Sequence, residues 1–191
     1  MSKSGPPVSG QHADLTPSLV VRLRAGDADA GCLLVERYRV PMVRFCCGYL
    51  GREDDAEDAV QDVFCKVLAA REIPDNFRAW LYKIARNHCL NLLRSRARRR
   101  DARHLPSEAP NAANQTGDLS RLVKRELRSR LAHLVSALPS AQREVLRLRY
   151  VEELARNELA YVLDIPESVV KSRLFEGLKK LREHTSLLDD R

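Results

Sequence analysis

Residues 106–118 carry Pro, Asn, Ala, Ser and Gly and almost no large apolar side chain. A segment of that composition cannot bury enough surface to order itself, so it reads as a flexible linker. On both sides of it apolar residues recur at helical spacing. Leu34, Tyr38, Met42, Phe45 and Tyr49 lie at i, i+4, i+8, i+11 and i+15, and the next run should bury Val60, Phe64, Val67 and Leu68. After the linker come Leu119, Leu122, Val123, Leu127, Leu131, Leu134 and Val135, and later Val170, Leu174, Leu178 and Leu181. No period-two run rich in β-branched residues competes with this pattern. The spacing predicts an all-α chain of two small helical domains. The expected bounds are a flexible extension over 1–14, a first domain over 15–97, a linker over 98–118, a second domain over 119–184 and a tail over 185–191.

Local signals punctuate the helices. Thr16 followed by Pro17 reads as an N-cap with proline at the first helical position. Pro41, inside the second apolar run, should kink or split that helix near Arg39, and Gly51 should end it. Ser140 is the expected N-cap of a helix over 141–150. Helices over 155–163 and 167–184 are separated only by Asp164, Ile165 and Pro166.

Charge narrows the function classes. The chain has 33 Lys and Arg against 26 Asp and Glu, a net charge of +7, which favours a polyanionic partner. The distribution says more. Residues 76–104 contain nine Lys or Arg and one acid, whereas residues 53–62 contain six acids and no Lys or Arg. Two different contact surfaces are expected, one for nucleic acid and one for something basic. At 100° per residue, Leu81, Ala85, Cys89 and Leu92 form an apolar stripe, and Trp80, Lys83, Asn87, Asn91 and Arg94 fall nearly opposite. An aromatic, amides and cations without an acid suit stacking, base-edge hydrogen bonds and phosphate contact. The plainer alternative is an exposed basic helix with one stray Trp.

The helices over 155–163 and 167–184 have helix-turn-helix spacing. Ser168, Lys171, Ser172, Phe175, Lys179 and Arg182 lie off the apolar stripe of the second, a mixture that fits major-groove reading with phosphate anchoring. Many helical hairpins share this pattern, and Asp164 stands where such turns often carry glycine.

Other chemistries find no support. The five cysteines are odd in number and lack C-x-x-C spacing, so core packing is expected rather than disulfides or zinc. There is no G-x-S-x-G, no phosphate-cradling glycine loop and no His/acid set at metal spacing. No catalytic residue, metal or cofactor is expected. The acids Asp54, Asp55, Asp58 and Asp62 sit at a helix start, where the dipole favours them, and do not suggest a nuclease site. No stretch approaches 18 apolar residues, so neither membrane insertion nor a signal peptide is expected and a cytoplasmic location follows.

Four motifs, in order, complete the reading. They are Asp55-Ala-Glu-Asp-Ala-Val-Gln-Asp-Val-Phe64, Phe77-Arg-Ala-Trp-Leu-Tyr-Lys-Ile-Ala-Arg-Asn87, Leu138-Pro-Ser-Ala-Gln-Arg-Glu-Val-Leu-Arg-Leu-Arg-Tyr150 and Val170-Lys-Ser-Arg-Leu174. With them the chain resembles an extracytoplasmic-function (ECF) sigma factor of the sigma-70 family, the minimal promoter-recognition subunit of bacterial RNA polymerase. The first pair is similar to region two and the second to region four. The resemblance implies core RNA polymerase and promoter DNA as partners, with no covalent chemistry by the chain itself. It places Asp58, Gln61 and Asp62 on the polymerase-binding helix. It places Asn76, Phe77 and Arg78 at a pocket for a base flipped from the melted minus-ten element, although Phe77 has an alternative use as a staple at the helix start. Trp80, Lys83, Asn87, Asn91 and Arg94 would follow the melted strand and the duplex edge. Ser168, Lys171, Ser172, Arg173, Phe175 and Lys179 would read the minus-thirty-five element.

The family commonly has an anti-sigma partner, which nothing in the sequence identifies. Three positions depart from the family pattern. Residues 154–159 lack the usual hydroxyl and aromatic pair, Glu176 replaces a frequent basic residue, and Asp164 occupies the turn. Rival readings are a stand-alone DNA-binding regulator that uses only the second domain, and a helical adaptor.

Overall fold

Helices make up all the regular structure in residues 16–101, 134–135 and 137–189, the part of the chain that the computed structural model describes. They are α1 (Thr16–Arg24), α2 (Ala28–Leu50), α3 (Glu53–Leu68), α4 (Phe77–Asp101), α5 (Ser140–Tyr150), α6 (Arg156–Leu163) and α7 (Glu167–Asp189). The expected extension over 1–14, the linker beyond 101 and the helix start at 119 lie outside the described residues.

The first four helices form one bundle around α2. Asp27 caps α2, its carboxylate accepting from the Asp29 and Ala30 N–H groups at 3.0 and 3.3 Å. At the other end Gly51 takes the left-handed conformation, φ 80°, and donates its N–H to the Cys47 carbonyl at 2.8 Å. The split expected at Pro41 is absent. One unbroken helix carries Leu34 and Tyr38 before the proline and Met42 and Phe45 after it, and all four are buried in the same core. Packing of both halves outweighs the backbone hydrogen bond that proline removes.

From α3 come buried Val60, Val63, Phe64 and Val67, but Leu68, expected inside, is 45% exposed at the helix end. Thr16 is buried at the first residue of α1 and its hydroxyl meets the Tyr38 hydroxyl at 3.0 Å, which ties α1 to α2. Leu81, Ala85 and Cys89 are buried along α4 as their spacing requires, with Leu92 partly buried. The helix runs on through the arginine-rich stretch to Asp101, past the boundary expected at 97.

The second bundle is α5, α6 and α7. Ser140 is the first helical residue of α5, preceded by Pro139, and makes no capping bond. Glu158 instead caps α6, accepting from the Ala155 N–H at 2.7 Å. Asp164 does what a glycine would: it sits at φ 57° in the left-handed region and closes α6. Val170 and Leu174 are buried in the same core as Leu159, Val162 and Leu163. Gly177 lets α7 approach α5, because a Cβ there would lie 2.9 Å from Leu146 Cδ1. The helix extends to Asp189, into residues expected to form a tail.

Gly51→Ala should destabilise the first bundle by about 1–2 kcal/mol, the cost of a side chain in the left-handed region. Urea unfolding followed by circular dichroism checks it.

Candidate nucleic-acid interface

The loop before α4 is held by backbone chemistry. Arg24 donates from Nε to the Ile73 carbonyl at 2.7 Å and pairs with Asp75 at 2.8 Å. Asn76 is the N-cap of α4: its side-chain oxygen accepts from the Ala79 N–H at 3.2 Å, and its carbonyl accepts from the Trp80 N–H at 3.1 Å.

Phe77 requires a correction. It is 1% exposed, with its ring centroid 5.7 Å from that of Tyr38 and 6.0 Å from that of Trp80. It staples the start of α4 into the core and presents no face on which a base could stack. The physical reason is local: once Asn76 caps, the first helical residue points back onto α2. Trp80 beside it is half-buried.

The remaining residues of that set separate into two groups. Asn87, Asn91 and Arg94 are exposed, and Arg94 Nη1 donates to Asn91 Oδ1 at 3.0 Å. Arg78 and Lys83 face the second bundle. Arg78 Nη2 donates to the Glu152 carbonyl. Lys83 Nζ lies 3.8 Å from Asp164 Oδ1 and 4.3 Å from the centre of the Tyr161 ring.

Residues that the sequence did not single out complete this contact. Glu144 of α5 accepts from Arg86 Nε at 2.8 Å and from the Tyr49 hydroxyl at 2.5 Å. Glu152 is 2% exposed. Its Oε2 takes Arg44 Nη2 at 3.0 Å and the Tyr82 hydroxyl at 2.8 Å, while its Oε1 is buried with no hydrogen-bond partner. Burial, and then the adjacent Glu144 carboxylate, push the Tyr49 hydroxyl well above its ordinary range. Burial followed by Glu152 does the same at Tyr82. Both tyrosines therefore stay protonated and donate. Beside these joints a cleft of about 510 Å³ is lined by Arg37, Arg44, Arg78, Tyr82 and Glu152, among others.

On α3, Asp58, Gln61 and Asp62 are all exposed, as an interaction face needs. Asp62 Oδ2 lies 3.2 Å from His88 Nε2, an electrostatic contact without hydrogen-bond alignment, and Lys66 Nζ lies 2.9 Å from His88 Nδ1. Burial and then the Lys66 charge hold the imidazole below its usual range, so it is neutral near pH 7. Asp55, by contrast, is paired with Arg96 at 2.7 Å.

On α7, Ser168, Lys171, Ser172, Phe175 and Lys179 are exposed, and Phe175 is 68% exposed. Arg173 is half-buried, nearer the packed side than expected. Glu176 gains a role here: it accepts from Gln142 Nε2 at 3.0 Å and from the Ser172 hydroxyl at 3.1 Å, which ties α7 to α5. Lys179 pairs loosely with Glu183 at 3.8 Å.

All five cysteines are free; Cys46 and Cys89 are buried, but Cys32 and Cys65 are exposed and Cys47 is intermediate, so core packing explains only part of the set. The Cys46 thiol is pushed up by its contact with Cys89 and by burial, so it stays protonated. Among the described residues no cluster of three or more His, Cys, Asp or Glu could hold a metal ion. No described helix is long and apolar enough to cross a membrane.

Residues 34–99 match the family Sigma-70 region 2, and residues 134–183 match Sigma-70, region 4. Over 172 residues the chain is 31% identical to the ECF RNA polymerase sigma-E factor of Escherichia coli (strain K12), spanning 83% of this chain and 88% of that protein. It is 28% identical over 177 residues to the ECF RNA polymerase sigma factor SigW of Bacillus subtilis (strain 168), spanning 86% and 93%. In fold it is similar to CnrH, solved in complex with the cytosolic domain of CnrY, with a TM-score of 0.64 at 24% identity over 93% of this chain and 99% of that one. The sigma factor RpoE of Bartonella quintana, solved with the anti-sigma factor NepR, gives 0.60 at 24% identity over 79% and 93%.

Phe77→Ala should cost about 3–5 kcal/mol of stability, as deletion of a fully buried ring does. Chemical denaturation of the full chain reads this, and an unchanged midpoint would mean that the ring is not core.

Proposed function

From its membership of the ECF sigma factors, the family to which this chain belongs, we propose how it serves transcription initiation. It binds core RNA polymerase through α3, reads an upstream promoter element with α7, and captures the melted downstream strand along α4. The observation that carries this reading is the exposed row Ser168, Lys171, Ser172, Phe175 and Lys179 on α7, in the same chain as the exposed acids of α3. One surface is suited to DNA edges and phosphates, the other to a basic protein.

In the proposed sequence of events Asp58, Gln61 and Asp62 dock on a basic face of the polymerase. The second bundle then sets Lys171, Ser172 and Phe175 into a major groove, with Ser168, Arg173 and Lys179 toward phosphates. Melting follows. Extracting a base from the stack costs a few kcal/mol, which stacking and edge hydrogen bonds must return. With Phe77 in the core, Asn76, Arg78 and Trp80 are the groups nearest that task. Lys83, Asn87, Asn91 and Arg94 extend the track along α4. Family members are initiation subunits without chemistry of their own, and the same role is proposed here. An anti-sigma partner of the kind bound to RpoE would compete for these surfaces.

Reconstituted transcription with bacterial core polymerase on a genomic promoter library tests the reading: a discrete promoter class should be initiated, and no initiation overturns it. Asp62→Arg should weaken polymerase binding with the helical circular dichroism unchanged. Trp80→Ala should impair strand opening more than initial docking; equal losses would assign Trp80 to packing. Lys171→Ala should cost about 1–3 kcal/mol on the preferred sequence if the amine reads a base, or lower the salt slope by about one if it holds a phosphate.

A further inference from the structure

We propose that His88 of α4 is a positioning residue for polymerase binding: together with Lys66 it governs how freely the Asp62 carboxylate of α3 meets a basic partner, and acid closes that carboxylate off. That Asp62 docks on polymerase rests on the function proposed above; the arrangement of Lys66, His88 and Asp62 does not.

The acids of α3 differ in what stands against them. Asp54 faces Arg52 at 3.5 Å, Asp55 faces Arg96 at 2.7 Å and Glu57 faces Arg39 at 3.2 Å. A guanidinium keeps its charge throughout the range a protein works in, so those three pairs do not respond to pH. Asp62 instead faces the imidazole of His88, a group whose ordinary range lies near neutrality. The Asp62 side chain is 64% exposed, against 27% for Asp55, so it stays open to a partner.

The contacts fix the state of the ring. Lys66 Nζ lies 2.9 Å from His88 Nδ1. An ammonium can only donate, so Nδ1 accepts and the hydrogen of the neutral ring sits on Nε2. That Nε2 lies 3.2 Å from Asp62 Oδ2, yet it is buried and makes no aligned hydrogen bond. The carboxylate is near the ring without being held by it. Asp62 and Lys66 are one helical turn apart on α3, so the α4 ring meets one of them with each nitrogen.

Gain of a proton reverses both contacts. The proton enters at Nδ1, which then donates and can no longer accept from Lys66. Two cations at that spacing repel, and the exposed Lys66 side chain turns out to solvent. The Nε2–H, now part of an imidazolium, makes a charge-assisted bond to Asp62. The charged groups that act on the ring are Lys66 and Asp62, both from α3. Burial and the Lys66 charge oppose the proton, and Asp62 favours it less strongly. The ring therefore stays neutral until the medium is more acid than an ordinary histidine requires. Above that point Asp62 is available to a basic partner, and below it the charge of Asp62 is spent within the chain.

The experiment titrates the full chain against bacterial core polymerase from about pH 8 to about pH 5, the span in which an imidazole changes charge. Wild type is compared with His88→Gln, Lys66→Met and Asp62→Asn, and circular dichroism checks the helices of each. Gln offers a donor and an acceptor but does not titrate, so the comparison removes the pH dependence of polymerase itself. Wild type should lose about tenfold more affinity across the span than His88→Gln, the worth of one charge-assisted contact. Lys66→Met, which leaves the packed ring in place, should move the loss to higher pH because the opposing charge is gone. Proton–nitrogen NMR of the imidazoles, with His88→Gln identifying the signal, should find the hydrogen of the neutral ring on Nε2. Parallel profiles for wild type and His88→Gln, with Asp62→Asn still weakening binding, overturn the proposal and leave docking through α3 in place. Binding by Asp62→Asn equal to that of wild type overturns the docking role and the proposal with it. A neutral ring with its hydrogen on Nδ1, or a Lys66→Met profile that does not move, also overturns the proposal.

Discussion

Glu152 is a carboxylate with almost no access to water, and an ionised group in that position is tolerable only where cations and hydroxyls reach it. Arg44 from α2, Tyr82 from α4 and, through the backbone, Arg78 all do so. The first bundle supplies every one of these donors and the second supplies the acceptor. These contacts hold α5 and the turn after it against α2 and α4, and Glu144 repeats the device within α5 with Arg86 and Tyr49. Tyrosine suits both places because its ring packs in the apolar core while its hydroxyl reaches the interface.

The same requirement sorts the charges of α4. Cations on α4 fall into three groups: Arg78, Lys83 and Arg86 face the second bundle, Arg96 pairs with Asp55 of α3, and Arg94, Arg98, Arg99 and Arg100 are exposed. The α3 acids and the α7 row stay outside the contact.

Much of this was legible in the residues. The helical period marked out two bundles, and the stripes of α2, α4 and α7 landed in the core where 3.6-residue spacing puts them. The family likewise followed from four motifs in order. Less legible were features that depend on tertiary neighbours. Pro41 leaves α2 whole because packing on both sides holds it, and Leu68 is exposed because its helix ends beside solvent. Phe77 was readable either as a base platform or as a staple, and only the packing against Tyr38 and Trp80 decides for the staple. Glu144 and Glu152 carried no signal of their own, since nothing in their spacing says that another bundle will cover them. The only hint was the pair of tyrosines, Tyr49 and Tyr82, each with a polar tip on an apolar stripe. Glu176, a departure in sequence, is explained by the hydrogen bonds that fix α7 to α5.

The central claim is that two surfaces of one chain act jointly on a shared polymerase to open DNA. Permanganate reactivity of unpaired thymines on a promoter fragment tests it most directly. The account predicts reactive thymines upstream of the start site only when core polymerase and this chain are present together. Strand opening that does not require the chain, or none with both present, would contradict it.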